Sequence, residues 1–360
     1  MPIPKFSRHT YEPVRHDMIP FPATNPPKNK VLSIAPIALL VLLCFSTATA
    51  QEDDVVRTST TLVQLNVGVI SRQGAHPVLN LTRNDFTVYE DGVKQTIQVF
   101  DPTEAPFSLV MLLDMSGSTV NFRQQVTTSA IRFLDALKPE DRVAVVQFNG
   151  KGVKSLLGFT QDRSRTAYAI GNATGSGATP FYDALQFSLK ELAKEGSRRK
   201  AIVVLTDGID SDVFREDTQI ISRASEADIS TVIKPENNAH LNTVLDEAAR
   251  QNVTIFPLAL PSGDPKRLPI QDAIITAKHV SARTRMQMLA DRTGGALNEI
   301  NRLDDMARVY MEVAANLRTL YTVGYQAPGR SARDGKWHEI KIEVASPEMI
   351  ARTRPGYFAK

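Results

Sequence analysis

Three short strings hold the residues best suited to chemistry. Asp114-Met115-Ser116-Gly117-Ser118, Gly177-Ala178-Thr179 and Thr206-Asp207-Gly208 together offer carboxylates at Asp114 and Asp207 and hydroxyls at Ser116, Ser118 and Thr179. These are hard oxygen donors, with no nitrogen or sulfur in the set. They suit Mg2+, which takes six oxygens near-octahedrally and keeps some of its waters, with Mn2+ or Ca2+ as substitutes. Two carboxylates balance such an ion. Held partly through water, they leave it electrophilic enough to accept one more oxygen from a partner. Taken singly, each residue has an ordinary structural reading as well. Asp114 and Asp207 would cap helices or turns, and the hydroxyls would satisfy backbone donors.

The strings gain weight from the elements around them. Phe107–Leu113 and Lys200–Thr206 are nearly unbroken apolar runs, the pattern of strands buried on both faces. Between and after them, helical spacing alternates with further strands. Val126, Ala130, Phe133, Leu134 and Leu137 mark one helix, and Pro180–Ala193 reads as another with proline in its first turn. Leu241–Gln251, Arg283–Arg292 and Asp304–Leu317 read as helices, Arg142–Phe148, Lys154–Phe159 and Val253–Leu260 as strands. The expected class is α/β, a doubly wound, mostly parallel sheet flanked by helices. In such a sheet the loops leaving the strands converge at one edge, where ligands bind. All three strings lie on such loops.

The flanks are β-rich. Val63, Leu65, Val67 and Val69 alternate with polar or small residues. Asp85–Glu90 and Val93–Phe100 are joined by Asp91-Gly92, a two-residue hairpin signal. Thr319–Tyr325 and the alternation at Ile340, Ile342 and Val344 give strands after residue 317. Each flank offers about three strands and one apolar face, so the two are expected to pack as one module. The expected organisation is an export segment at 1–50, a β-rich module at 51–105, the α/β domain at 106–317, and a C-terminal β segment at 318–360. Ser222–Ala239 and Pro261–Ala282 give no clear pattern.

Val31–Ala50 is uncharged over twenty residues, follows Lys28 and Lys30, and ends in Ala48-Thr49-Ala50. That is an export signal, with Met18 as an alternative start and cleavage expected after Ala50. An uncleaved membrane anchor and a lipidated Cys44 are the competing readings; each exports the chain to a periplasm, cell envelope or exterior. Cys44 is the sole cysteine, so the exported body has no disulfide and no thiolate site. Five of 42 basic and two of 39 acidic side chains fall in the first 50 residues, which leaves the body balanced. That balance excludes a dedicated nucleic-acid binder, which needs a basic surface.

The Asp-x-Ser-x-Ser string, Gly177-Ala178-Thr179-Pro180-Phe181-Tyr182-Asp183-Ala184-Leu185 and Leu205-Thr206-Asp207-Gly208 resemble the von Willebrand factor type A domain and its metal-ion-dependent adhesion site. The resemblance covers about residues 107–317. It implies a Rossmann-like fold, ligation by Ser116, Ser118 and Thr179, and Asp114 and Asp207 holding the ion directly or through water. It also implies a protein partner whose Asp or Glu completes the coordination. Asp85–Gly92 and Arg352-Thr353-Arg354-Pro355-Gly356-Tyr357 are similar to a group of exported bacterial proteins carrying this domain. Two other functions compete: a Mg2+-dependent hydrolase with Asp114 as nucleophile, and a scaffold whose site is only structural. Asp210 and Asp212 read as solvated loop charges, Arg198–Lys200 as an exposed loop entering a strand, and His76, His240, His279 and His338 as surface residues.

Overall fold

The computed structural model describes residues 61–73, 77–102, 105–268, 272–302, 305–327 and 334–359. The apolar segment 31–50, Cys44 and His76 lie outside them. Four strands come first: β1 (Thr61–Ser71), β2 (Phe86–Glu90), β3 (Val93–Gln95) and β4 (Ile97–Asp101). The alternating series follows with β5 (Phe107–Asp114), α1 (Arg123–Leu134), β6 (Arg142–Asn149), β7 (Gly152–Thr160), α2 (Arg163–Gly171) and α3 (Phe181–Ala193). It continues with β8 (Arg199–Thr206), α4 (Ser211–Ile221), α5 (Ala239–Gln251), β9 (Val253–Ala259), α6 (Ala273–Thr293), β10 (Asn298–Glu299) and α7 (Met306–Arg318). Then come β11 (Leu320–Ala327), β12 (Trp337–Val344), β13 (Met349–Arg352) and β14 (Gly356–Phe358).

The central sheet runs β10-β9-β8-β5-β6-β7, parallel throughout except for the antiparallel edge strand β7. β5 and β8 bury every residue. Leu109, Met111 and Leu113 pack with Phe133 of α1 and Val313 of α7, whereas Val110 and Leu112 pack with Phe181 and Leu185 of α3 and Leu245 of α5. Each such side chain contributes about 1.5–3 kcal/mol over its exposed state. The fold therefore has two apolar layers that do not depend on any ion. The chain leaves β5 toward β6 on one side and returns to β8 on the other. Strand order thus reverses at β5, and in sheets of this kind the carboxyl ends of the strands at that point border a crevice.

The β-rich flanks form two four-stranded antiparallel sheets, β13-β1-β11-β4 and β14-β12-β2-β3. Their facing sides bury Val63, Leu65, Val67, Phe86, Val88, Tyr321, Val323 and Ile340 in one cluster. Both sheets mix strands from before β5 with strands from after α7: β1 pairs with β11 from Thr61↔Ala327 to Gly68↔Leu320, and β2 with β12 from Phe86↔Val344 to Glu90↔Ile340.

Several expectations are corrected. Residues 93–100 are two strands, because the chain changes sheets at Thr96: β3 pairs with β2 and β4 with β11. The helix expected at Arg283–Arg292 begins at Ala273. Its buried face carries Lys278, His279, Ser281 and Arg285, which hide the apolar stripe that would reveal it. α4 escapes detection for a similar reason, since Asp217 on its inner face is buried against Arg285. Arg199 and Lys200 lie within β8 and are buried rather than in an exposed loop.

Candidate metal centre

β5 delivers Asp114 to the crevice, and the neighbouring strand β8 delivers Thr206 and Asp207 beside it, since Leu113 pairs with Leu205. Asp114 and Asp207 are buried, at 1% and 2% exposure. One Asp114 oxygen accepts the Ser116 N–H at 2.9 Å and the other accepts the Thr206 hydroxyl at 2.6 Å. Asp207 accepts the N–H of Ile209 at 3.1 Å. Burial, then the neighbouring Asp207 carboxylate, push Asp114 up to about 7, although Ser116 and Thr206 donate to it.

The hydroxyl residues stand on two loops, one after β5 and one before α3. Ser116 is buried and Ser118 exposed, with their Oγ atoms 3.1 Å apart. The Thr119 hydroxyl closes the turn by donating to the carbonyls of Asp114 and Ser116, at 2.9 and 3.1 Å. Thr179 is placed by its backbone: its N–H donates to Ser211 Oγ at 2.8 Å, and its carbonyl accepts the Ser211 N–H at 3.0 Å. The two loops touch where the Gly117 N–H donates to the Gly177 carbonyl at 3.0 Å. Gly177 has φ +87°, and a Cβ there would stand 3.2 Å from the Gly150 Cα, so glycine serves both the turn and the close approach.

Other residues of this edge were not apparent in the sequence. Arg123, the first residue of α1, donates to the carbonyls of Met115, Ser116 and Gly175, joining the first two loops. No capping or periodic signal marks it. Asp210 is a buried cap, correcting its reading as a solvated charge: it accepts the N–H groups of Asp212 and Val213 at 2.9 and 3.0 Å and that of Tyr182 at 3.2 Å. An Asp directly before a helix is the sequence signal for this role, and it goes unread where the helix α4 itself is not apparent. Asp212 is exposed and pairs with Arg215.

A second polar cluster lies in the β module. Ligand atoms of Glu90, Asp91 and His338 fall within 4.8 Å of one another. His338 is buried, not on the surface, and both its ring nitrogens are engaged: Nδ1 with Asp91 at 2.7 Å and Nε2 with Asp334 at 3.0 Å. Glu90 accepts the hydroxyls of Tyr325 and Tyr357, at 2.5 and 3.2 Å. With carboxylates on both nitrogens, the imidazolium itself is the cation of this cluster. His279 is also buried, its ring near the carbonyl of Gly263.

Residues 109–209 match the sequence model of the von Willebrand factor type A domain. None of the curated proteins matches the chain. Among solved structures it is similar to a von Willebrand factor type A protein of Catenulispora acidiphila, at 12% identity and a TM-score of 0.44, over 84% of this chain and 64% of that one. It is also similar to the pilus adhesin SpaC of Lactobacillus rhamnosus GG, at 14% and 0.43, over 80% of this chain and 47% of that one. A third is the von Willebrand domain of the type V pili tip protein Mfa5 of Porphyromonas gingivalis, at 14% and 0.40, over 59% and 94%.

Proposed function

From the von Willebrand factor type A domain that residues 109–209 carry, we propose that Asp114, Ser116, Ser118, Thr179 and Asp207 hold a divalent cation through which the protein binds a partner carboxylate. The observation that carries this reading is the pairing of Asp114 with Asp207. Two carboxylates buried at adjacent strand ends repel, and Asp114 relieves the repulsion by holding a proton up to about 7. A divalent cation relieves it better, since it neutralises both. The hydroxyls add oxygen ligands without adding charge, and exposed Ser118 keeps one side of the site open to a partner. The donor set favours Mg2+, with Mn2+ and Ca2+ as substitutes. When bound, the ion supplies a Lewis acid for an Asp or Glu oxygen of a protein ligand.

The protein in this reading is an adhesion-type binding module, not a catalyst. The apolar segment at Val31–Ala50 directs it to the periplasm, cell envelope or exterior. Calorimetric titration of residues 51–360 with Mg2+, followed by Mg2+-dependent capture of envelope proteins and elution with EDTA, tests it. Ser118→Ala is the decisive variant, because it deletes one neutral ligand and leaves the charge count unchanged. It should keep the wild-type circular dichroism and lose both Mg2+ uptake and EDTA-sensitive capture. Normal binding by Ser118→Ala, or unfolding of the wild type by EDTA, refutes the reading.

A further inference from the structure

The polar cluster of the β module joins the two flanks of the chain. Glu90 ends β2 and Asp91 follows it, whereas His338 stands on the neighbouring strand β12, 247 residues along the chain from Asp91. Glu90 is only 3% exposed. Its Oε2 accepts the hydroxyls of both Tyr325 and Tyr357. Its Oε1 accepts no hydrogen bond among the described residues and lies 3.9 Å from His338 Nδ1. Asp91 turns Oδ2 to the same nitrogen at 2.7 Å, while the Glu339 N–H fixes its Oδ1 at 2.9 Å. At the far nitrogen of the ring, Asp334 Oδ1 meets Nε2 at 3.0 Å and is itself held by the Lys336 N–H at 2.9 Å. Ligand atoms of three residues thus converge within 4.8 Å of one another, and the histidine among them already has a carboxylate on its other nitrogen. Such an outer carboxylate orients metal-binding imidazoles and raises their basicity.

Charge points the same way. Where the three ligand atoms meet, two carboxylates face one imidazolium. Arg354 lies over the Tyr357 ring but directs its N–H groups to the Ala249 and Gln64 carbonyls, and Lys336 bears on Asp334. A divalent ion in place of the Nδ1 proton balances both carboxylates. We propose that Glu90 Oε1, Asp91 Oδ2 and His338 Nδ1 form a second metal site, of the Zn2+ class, which clasps the strand before the α/β unit to the strand after it. One imidazole with two carboxylates is a zinc donor set, and exposed Asp91 leaves a fourth position open to water. Tetrahedral zinc ligands stand about 3.4 Å apart, a spacing between the two contacts at 2.7 and 3.9 Å. Asp334 holds the ring with Nε2 protonated, and the Nδ1 proton passes to solvent when the ion enters. Mg2+ and Ca2+ prefer oxygen, which is all that the crevice offers, so the two sites sort ions by donor.

Residues 51–360 in saturating Mg2+, which fills the crevice, are titrated with Zn2+ and separately with Ca2+. Trp337 is the chain's one tryptophan and the neighbour of His338, so its fluorescence supplies a readout beside calorimetry. One Zn2+ per chain should bind with a midpoint on the order of 1 μM, and Ca2+ should give no response. His338→Gln should abolish the saturable phase. Asp91→Asn should weaken Zn2+ at least tenfold. It decides the matter should His338→Gln fail to fold, because an Asn-Gly pair keeps the hairpin turn and the amide oxygen still accepts the Glu339 N–H. Asp334→Asn, which meets the ring at Nε2 and not at Nδ1, should weaken Zn2+ about tenfold. Ser118→Ala should leave the Zn2+ midpoint unchanged. An unchanged midpoint in Asp91→Asn overturns the proposal, as does a wild type with no saturable Zn2+ response. Uptake that is lost in Ser118→Ala and kept in Asp91→Asn assigns the ion to the crevice and overturns it as well.

Discussion

Thr206 donates its hydroxyl to Asp114 at 2.6 Å, and the same hydroxyl oxygen accepts the N–H of Gly208 at 3.0 Å. A relay thus runs from the turn after β8 to the carboxylate that ends β5. Because the bond favours charged Asp114, it opposes the burial that would keep the group protonated.

Thr206→Val preserves the shape of the side chain and deletes that donor. A hydrogen bond to a charged group is worth about 1.5–3 kcal/mol, so Mg2+ affinity at pH 7 should fall about tenfold or more while the fold persists. Calorimetry on the variant checks this. Wild-type affinity would show that the relay has no part in holding the ion.

Metal uptake should be coupled to proton release. Asp114 holds its proton up to about pH 7 in the metal-free fold, against an ordinary value of 3.8. The native state therefore binds that proton more tightly than the unfolded chain does. In EDTA, stability should fall as pH rises between these two values, and Mg2+ should restore it. Mg2+ affinity should weaken about tenfold per pH unit below about 7. Titrations in buffers of different ionisation enthalpy count the protons released. A count of zero at pH 6 would remove Asp114 from the ligand set.

Asp217 of α4 and Arg285 of α6 form a two-pronged pair at 2.6 and 2.8 Å, with side chains 3% and 5% exposed. Asp217→Ala strands a buried guanidinium and should cost about 3–5 kcal/mol. Asp217→Leu with Arg285→Met removes both charges and should cost much less. Urea unfolding of the three proteins makes the comparison, and equal losses would mean the pair is not coupled.

His338 predicts an alkaline weakness in the β module. Burial disfavours its charge, but Asp334 and Asp91 outweigh burial and raise it above 6.5. Its contribution is fully present below 6.5 and is lost as pH rises through the higher native value. Asp91 and Asp334 are lowered, in part by the same histidine, so their share fades only in acid. The stability difference between wild type and His338→Gln should therefore peak in mildly acidic solution and shrink toward pH 9. A difference that stays flat over this range contradicts the clasp.

The α/β class was legible because β5 and β8 are apolar throughout, and because α1 and α3 keep their spacing. That Asp114 and Asp207 stand at neighbouring strand ends followed from where those strands stop. What escaped the sequence shares one cause: polar residues buried by partners distant in the chain. Asp217 hides α4, and Lys278 and His279 hide the first half of α6, since each stands on a buried face where periodicity needs an apolar residue. Asp210 looked like one more loop charge until Tyr182 and Val213 were seen to donate to it. His338 stands 247 residues along the chain from Asp91, and no local pattern joins it to Glu90 and Asp91. A hydrophobic period reports what water rejects. It does not report which charges have found each other.

The strands that lead into and out of the α/β unit, β4 and β11, are hydrogen-bonded neighbours, with Thr322 opposite Asp101. Arg199 adds a cross-pin by donating to the carbonyls of Ala105 and Leu320, one on each side of the junction. The unit is therefore an insertion with its doorway and its exit in the same wall. Excising it and joining residue 105 to residue 320 with a short turn would leave the two β sheets with all eight strands. Conversely, cutting away either flank removes strands from both sheets at once. A load applied to the α/β unit pulls on these two adjacent strands together, so it is passed to the next strand, and shear across the eight-pair ladder between β11 and β1 resists it.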